Sequence, residues 1–244
     1  MRGTQDKKAL LSYAKPVLEV FSAMTVCDRL YDCVRDIWEG YHNHPFITEL
    51  GTGTLDPAKF RYYMIQDYRY LLDYVKVFAI GITKAGGDEE IMRSFATSIH
   101  AILNEEMSIH KSYMARLGIT EQEIANTPMA LDNASYTAYM IAQGEMGGAP
   151  EVLAAILSCA WSYEVIAKGV VERWPDSLEH PLFGEWVRGY ASEGYAAGNR
   201  RIFAFVERVC AGLPEPRMQH LCEVFVNCSR YEAMFWDMAY EMKA

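Results

Sequence analysis

Apolar residues recur at helical spacing along most of the chain. From Thr25 to Tyr41 the apolar positions fall three, four or one residue apart, at Val26, Leu30, Val34, Ile37 and Trp38. This spacing places apolar side chains on one face of an α-helix. A proline disfavours the helical conformation in the residue before it. We therefore expect this helix to end within residues 42–45, just before or at Pro45.

Capping residues and turns divide the rest of the chain into further helices. Asp56 followed by Pro57 predicts a helix of about 25 residues that ends near Gly86. Asp88 is a candidate cap for a long helix ending near Gly118, and Thr120 begins a short helix with a capping-box pattern. Further helices are predicted over residues 132–144, 150–172, 180–211 and 215–242.

No stretch alternates between apolar and polar residues for long enough to predict a β-strand. The pattern therefore predicts an all-α fold, a single-domain helical bundle of about seven or eight helices over residues 24–244. Residues 1–23 are predicted to be an N-terminal extension, either an extra helix or a frayed arm.

One predicted helix, residues 150–168, is apolar almost all round, which is typical of a helix buried on most sides. Cys159 and Tyr163 lie four residues apart in it and therefore share a face. A thiol and a phenol on the inner face of a central helix are either core packing or the nucleophile and hydroxyl of a reaction pocket.

Composition narrows the class of protein. The chain has 244 residues, of which 51% are hydrophobic, and a formal net charge of −9. An acidic chain with scattered Lys and Arg residues argues against a nucleic-acid partner. No apolar run reaches the ~20 residues that span a bilayer, so no membrane association is predicted. Six cysteines without a Cys-x-x-Cys pair favour reduced thiols and a cytoplasmic location.

Polar and aromatic residues recur on the inner faces of several predicted helices. Each has a purely structural interpretation, since the carboxylates can pair with nearby arginines and the tyrosines can be core residues with satisfied hydroxyls. The groups are Asp67 with Tyr70, Tyr136 with Tyr139, Tyr190, and Glu232 with Phe235.

Seven motifs in order resemble the TenA family of thiaminase II and aminopyrimidine aminohydrolase proteins, in the branch that uses a cysteine. The resemblance runs from about Asp36 to Tyr240. Its motifs are His44-Pro-Phe46, Gly53-Thr-Leu55, Phe60-Arg-Tyr-Tyr-Met-Ile-Gln-Asp67-Tyr-Arg-Tyr70, Glu105-Glu-Met-Ser-Ile-His110, Ser135-Tyr136-Thr137, Cys159-Ala-Trp-Ser-Tyr163-Glu164 and Tyr231-Glu232-Ala-Met-Phe235-Trp236-Asp-Met-Ala-Tyr240.

The resemblance implies a haem-oxygenase-like helical bundle, a homotetramer, and a small pyrimidine as the substrate. It implies Cys159 as the nucleophile, Glu232 as the acid and base, and Asp67 as the group that holds the pyrimidine's amino group. It further implies ring or hydrogen-bond contacts from Tyr70, Tyr136, Tyr163, Tyr190 and Phe235. Relatives often have proline where this chain has Ser158, and some have an aromatic residue where it has Ala160. We expect both differences to affect substrate preference more than reaction type.

The implied chemistry suits these residue types. When a thiolate adds to a pyrimidine carbon and a carboxylic acid protonates a ring nitrogen, the ring loses its aromaticity and expels a substituent. Burial is expected to raise the pKa of Glu232, whereas Asp67 is expected to stay charged. No histidine is obviously placed to activate Cys159. Its thiolate then arises either by proton transfer to the carboxylate or through stabilisation by tyrosine hydroxyls.

The predicted function is therefore hydrolysis of aminomethylpyrimidine, thiamine or both, in thiamine salvage, without cofactor or metal. Alternatives are a related hydrolase of another heterocycle and a non-catalytic pyrimidine sensor. A metal oxidase would use Glu105 or Glu106 with His110, but the last helix lacks the histidines it needs. A haem protein would use His42 or His44, for which a role in the turn before Pro45 is the simpler interpretation.

Overall fold

Eleven α-helices make up most of the structure, a computed structural model that describes residues 24–243. The predicted N-terminal extension, residues 1–23, lies outside these residues. The helices are α1 Val26–His42, α2 Pro45–Thr52, α3 Pro57–Thr83, α4 Glu89–Ala101, α5 Met107–Arg116, α6 Glu121–Asn126, α7 Leu131–Met146, α8 Ala149–Arg173, α9 Gly184–Tyr190, α10 Glu193–Val209 and α11 Glu215–Glu241. The described chain contains no β-strand, so the all-α prediction is confirmed.

The predicted caps hold the helix ends. The side chains of Asp56, Asp88 and Thr120 each accept a hydrogen bond from a main-chain N–H in the first turn of the helix that follows. Thr25 and Asp28 form a reciprocal capping box at the start of α1. These bonds satisfy N–H groups that have no partner within the helix.

Helix α2 was not predicted. Pro45 does end α1, but it also begins α2, because proline suits the first turn of a helix, where its missing N–H would have no partner. His44 Nδ1 accepts a hydrogen bond of 3.1 Å from Phe46 N, and His44 Nε2 lies 3.1 Å from Asp237 Oδ1. His44 therefore caps a helix and links it to α11, as its turn interpretation suggested.

The single helix predicted over residues 180–211 was wrong. The structure has a 3₁₀ turn at Pro175–Glu179 and two helices, α9 and α10, separated at Ala191 and Ser192. Ser192 is extended, and its hydroxyl accepts a hydrogen bond of 3.1 Å from Tyr195 N. This local cap competes with helix continuation. The predicted number of helices was too low because of this break, the unpredicted α2 and the division of the helix predicted after Asp88 into α4 and α5.

The long helix predicted between Asp88 and Gly118 is interrupted. A π-helical turn, Ile102–Glu106, separates α4 from α5. Turns of this kind are rare and occur frequently at functional sites. The interruption changes the direction in which Glu106 and the residues after it project relative to α4.

Helix α8 lies at the centre of the fold, as its composition predicted. It packs against α3, α7, α10 and α11, and all six residues from Val152 to Leu157 are buried. By length and composition alone α8 could cross a membrane, but most of its apolar stretch is buried inside the protein. That burial is typical of a core helix.

Close packing between α3 and α4 generates a stability prediction. A Cβ atom at Gly81 would lie 2.5–2.7 Å from the buried ring of Phe95. We expect Gly81→Ala to lower the free energy of unfolding by about 1–3 kcal/mol, because neither the ring nor the helix backbone moves freely. Urea denaturation followed by circular dichroism measures this change.

Gly40→Ala in α1 is the matched control. No atom lies within 4 Å of a Cβ at this position, so alanine should raise stability by up to about 1 kcal/mol through its helix propensity. Equal effects of the two substitutions would contradict the predicted clash with Phe95.

Candidate active site

A cavity of about 780 Å³ opens on one side of α8, among residues of α3, α4, α5, α9 and α10. Aromatic side chains form much of its wall. They are Tyr70, Tyr74, Phe78, Tyr113, Tyr163, Trp186, Tyr190, Tyr195 and Phe205. A concave apolar site with a few polar groups is typical of a small-molecule pocket.

The structure places the eight predicted site residues in two layers. Five of them line the cavity: Asp67, Tyr70, Cys159, Tyr163 and Tyr190. The other three, Tyr136, Glu232 and Phe235, are at most 2% exposed and do not line it.

Ring contacts join the two layers. The ring centroid of Tyr70 lies 5.3 Å from that of Tyr136 and 5.9 Å from that of Phe235. The Tyr163 and Tyr190 rings are 4.8 Å apart. Aromatic rings at such distances pack favourably. Tyr136 of α7 and Phe235 of α11 therefore contact the cavity wall from behind, through the ring of Tyr70.

Cys159 lies on the cavity wall of α8, one turn before Tyr163. Burial raises the pKa of the Cys159 thiol well above its usual value, and the negative charge of Glu232 acts in the same direction. The hydroxyl of Tyr70 opposes both effects. The resting side chain is therefore a neutral thiol, which must lose its proton when it attacks a substrate.

Glu232 is a buried carboxylic acid on α11. Burial raises its pKa to about 8, and the charge of Asp67 adds to this rise. The hydroxyls of Tyr136 and Tyr163 partly oppose it. Among the described residues, Glu232 Oε2 has no hydrogen-bond partner. The expectation of a raised pKa is confirmed, and this oxygen lies buried behind the cavity wall.

Asp67 forms a buried pair with His110. His110 Nε2 lies 2.5 Å from Asp67 Oδ2, and His110 Nδ1 lies 3.0 Å from the main-chain oxygen of Glu106. A carbonyl oxygen only accepts, so Nδ1 carries a proton. Although burial opposes the charge, the Asp67 carboxylate raises the pKa of His110 to about 9. His110 is therefore positively charged at neutral pH, with the Asp67 carboxylate as its partner.

Tyr63 connects the Asp67–His110 pair to Tyr163 and Trp186. Its hydroxyl lies 3.4 Å from Asp67 Oδ2 and 3.4 Å from the Tyr163 hydroxyl, and it accepts a hydrogen bond of 3.1 Å from Trp186 Nε1. The ring of Tyr63 stacks on that of Trp236 at 5.7 Å. Buried polar groups that are linked in this way fix one arrangement of a core.

Ser158 and Ala160 flank the thiol on α8. Ser158 is fully buried, and its hydroxyl lies 3.2 Å from that of Tyr136, where either group can donate. Ala160 lines the cavity. Ser158 therefore positions a residue of the buried layer, whereas Ala160 leaves space in the wall.

Sequence reasoning missed three contributors to the site: Tyr63, Trp186 and Glu106. In the motif from Glu105 to His110, the sequence suggests only a metal-ligand role for the glutamates, and a structural or inter-helix hydrogen-bonding role for His110. In the structure His110 binds Asp67 across two helices, and Glu106 lines the cavity. No group of three His, Cys, Asp or Glu side chains within residues 24–243 is arranged to hold a metal ion.

Comparisons with known proteins agree with this architecture. A family model described as the TENA/THI-4/PQQC family matches residues 31–242. An aminopyrimidine aminohydrolase from Helicobacter pylori is 44% identical over 218 residues, which cover 89% of this chain and 100% of that protein. Another aminopyrimidine aminohydrolase, from Halalkalibacterium halodurans, is 37% identical and covers 89% of this chain and 96% of the relative.

Solved structures share the fold. A TenA homologue from P. horikoshii superimposes with a TM-score of 0.80 at 27% identity, covering 89% of this chain and 99% of that one. A domain with a haem-oxygenase-like fold from Shewanella denitrificans has a TM-score of 0.71 at 18% identity and covers 88% and 92% of the two chains. The expected haem-oxygenase-like fold is confirmed.

The buried acid generates a prediction for stability against pH. Folding raises the pKa of Glu232 from its usual 4.5 to about 8, so between these values the folded state holds a proton that the unfolded state lacks. The stabilisation that this proton gives the folded state is complete below pH 4.5. It is lost as the pH rises through 8, at up to about 1.4 kcal/mol of unfolding free energy per pH unit. Glu232→Gln should therefore show a shallower loss of unfolding free energy between pH 5.5 and 7.5.

Urea denaturation at pH 5.5, 6.5 and 7.5 measures these slopes. Glu223→Gln, at a side chain of α11 that is 76% exposed, removes the same charge at the surface and should keep the wild-type slope. If Glu232→Gln also keeps the wild-type slope, Glu232 does not hold the proton.

Proposed function

The chain belongs to the TENA/THI-4/PQQC family, and we propose that it is an aminopyrimidine aminohydrolase of thiamine salvage. It hydrolyses 4-amino-5-aminomethyl-2-methylpyrimidine to the 5-hydroxymethyl compound and ammonia. Relatives that carry this name are 44% and 37% identical over most of the chain. The observation that carries the proposal is the placement of the Cys159 thiol and the Asp67 carboxylate on the wall of one aromatic cavity.

The first proposed step is addition of Cys159 to the ring. The sulfur forms a bond with a pyrimidine carbon while the carboxylic acid of Glu232 gives its proton to a ring nitrogen. The other oxygen of Glu232 takes the proton of the thiol. This exchange leaves Glu232 protonated and the ring no longer aromatic. It agrees with a neutral resting thiol and an acid whose pKa lies near 8.

The second step expels the amine. The bond between the exocyclic carbon and nitrogen breaks, and the nitrogen keeps both electrons and leaves as ammonia. Water then adds to the exocyclic carbon and loses a proton, which the released ammonia takes up as ammonium. Finally the bond to Cys159 breaks. The ring nitrogen returns its proton to one oxygen of Glu232, and the other oxygen gives its proton to the departing sulfur. The ring is aromatic again, and the product carries a hydroxymethyl group.

The remaining side chains bind and orient the ring in this proposal. Asp67, held by His110 at 2.5 Å, accepts hydrogen bonds from the 4-amino group. Tyr70, Tyr163 and Tyr190 contact the ring from the cavity wall, and Phe235 and Tyr136 support that wall from behind. A rigid aromatic site of this kind holds the reacting atoms in line.

Thiamine is a second candidate substrate. The cavity volume of about 780 Å³ lies in the upper part of the range for drug-sized ligands. Phe78 and Phe205 also line the cavity and are assigned no contact with the pyrimidine, so we infer that this part of the wall accommodates a thiazolium leaving group. The same addition of Cys159 would expel that group.

We also propose that the protein is a cytoplasmic homotetramer. All six cysteines are unpaired, as in a reducing compartment. Leu103 and Ile109, beside the cavity, are 46% and 55% exposed, and Leu131 is 73% exposed; a subunit interface would cover them. Light scattering on a size-exclusion column should give about four times the 27.7 kDa of one chain. A single-chain mass would contradict the tetramer.

Substitution of the nucleophile tests the activity directly. We expect wild-type protein to release hydroxymethylpyrimidine, and Cys159→Ser to lower kcat by roughly 10³-fold or more, because a hydroxyl is a much weaker nucleophile than a thiolate. Steady-state assays with aminomethylpyrimidine and thiamine, side by side, measure both rates and identify the preferred substrate.

Cys33→Ser, at an exposed cysteine of α1, is the matched control and should retain wild-type rates. Undiminished turnover by Cys159→Ser would exclude Cys159 as the nucleophile. Folded wild-type protein that turns over neither compound would exclude the proposed reaction, and a calorimetric titration with the same compounds would then identify a pyrimidine sensor.

A further inference from the structure

Glu106 lines the cavity, and its carboxylate takes no part in the reaction steps described above. It is the last residue of the π-helical turn Ile102–Glu106 and lines the same cavity as Asp67 and Cys159. Within the described part of the chain, one side chain forms a hydrogen bond with Glu106. It is His110, whose Nδ1 donates to the main-chain oxygen of Glu106 and not to its carboxylate. Its carboxylate is therefore available to a ligand.

Titratable groups from five of the helices around the cavity respond to the charge of Glu106. That charge raises the pKa of the Cys159 thiol and of three tyrosines, and the charges of Asp67 and His110 act on Glu106 in turn. The groups are Asp67 and Tyr74 of α3, His110 of α5, Cys159 of α8, Tyr190 of α9 and Tyr195 of α10, and all of them line the same cavity as Glu106.

His110 fixes the position of Glu106 relative to Asp67. The imidazole binds Asp67 Oδ2 through one nitrogen and the Glu106 main chain through the other, at 2.5 and 3.0 Å. In the substrate, the amino group and the aminomethyl group are attached to adjacent ring carbons. If Asp67 holds the amino group, the leaving nitrogen lies close to Asp67, in the part of the cavity that His110 and Glu106 also line.

The chemistry of the leaving group calls for a carboxylate at this place. An alkylamine is an ammonium ion at neutral pH, as in the side chain of lysine. Its charge must be balanced in a pocket whose wall is largely aromatic. Burial raises the pKa of Glu106 to about 7, the charge of His110 lowers it, and that of Asp67 raises it. A group with this pKa exchanges protons readily near neutral pH.

We propose that Glu106 is a further catalytic residue, which binds the ammonium group of the substrate and then transfers a proton from the attacking water to the departing ammonia. The inference rests on the proposed function. The carbon–nitrogen bond breaks, and the nitrogen keeps its electron pair and leaves as ammonia. Water forms the new carbon–oxygen bond and gives a proton to the Glu106 carboxylate. Glu106 passes this proton to ammonia, so that the products are the hydroxymethyl compound and ammonium.

The π-helical turn gives a structural reason for this placement. It inserts an irregular turn that ends at Glu106, four residues before His110, so both residues project differently from what one continuous helix would allow. The main-chain oxygen of Glu106 turns to His110, while its side chain lines the cavity.

Two substrates that differ in their leaving nitrogen provide the test. The leaving nitrogen of the aminomethyl compound carries protons, because it departs as ammonia. The leaving nitrogen of thiamine belongs to the thiazolium ring and carries no proton. We expect Glu106→Gln to lower kcat/KM for the aminomethyl compound by roughly 10²–10⁴-fold, with a loss for thiamine that is at least about ten-fold smaller. The wild-type inflection of kcat near pH 7 should disappear. Glu106→Asp should keep that inflection and recover part of the rate.

Glu89→Gln, at a side chain of α4 that is 89% exposed and outside the cavity, is the matched control and should keep wild-type rates. Equal losses for the two substrates with an unchanged pH profile would show a structural role for Glu106 and overturn the inference, as would wild-type kinetics of Glu106→Gln. If Glu106→Gln does not fold, Glu106→Asp decides through the same substrate ratio and pH profile. A failure of the proposed function differs from a failure of this inference, since wild type and Glu89→Gln would then both be inactive towards the two substrates.

Discussion

The buried pair of Asp67 and His110 is the constraint on which the site depends. Both side chains are about 5% exposed, and a charged group at such a depth is tolerated only with a partner at close range. The pair fixes α5 against α3, and through His110 Nδ1 it also fixes the main chain of the π-helical turn. Loss of either partner would leave a charge without its counterpart inside the core. The geometry of the pocket and the stability of the fold are therefore linked at this point.

Three carboxyl groups share one region and differ in their surroundings. Asp67 is paired with the imidazolium of His110, whereas burial and the charge of Asp67 raise the pKa of Glu232 and hold it as the acid. Glu106 is intermediate, because burial raises its pKa while the charge of His110 lowers it. Different surroundings give one residue type different roles, which is how a site carries both acid and base at one pH. The neutral thiol of Cys159 fits this arrangement, because proton transfer to Glu232 can accompany its attack.

The aromatic residues serve both packing and chemistry. Rings from α3, α7, α9 and α11 contact one another around the cavity, and they exclude water from the polar groups. The same exclusion raises the pKa of Glu232, Cys159 and the buried tyrosines. A more open pocket would lose these shifts, so the packing of the core sets the protonation states of the site.

The sequence by itself determined the helical fold class, most helix ends and the family motifs, because spacing, caps and prolines act within a few residues of chain. It also indicated the eight site residues and the shared face of Cys159 and Tyr163. Only the tertiary structure decided what lies beside what. The His110 contact with Asp67 joins residues 43 positions apart in the chain, and the placement of Glu232 behind the wall depends on the packing of α11. The π-helical turn, the break at Ser192 and the role of Glu106 were equally out of reach, since each results from competition between local and long-range contacts.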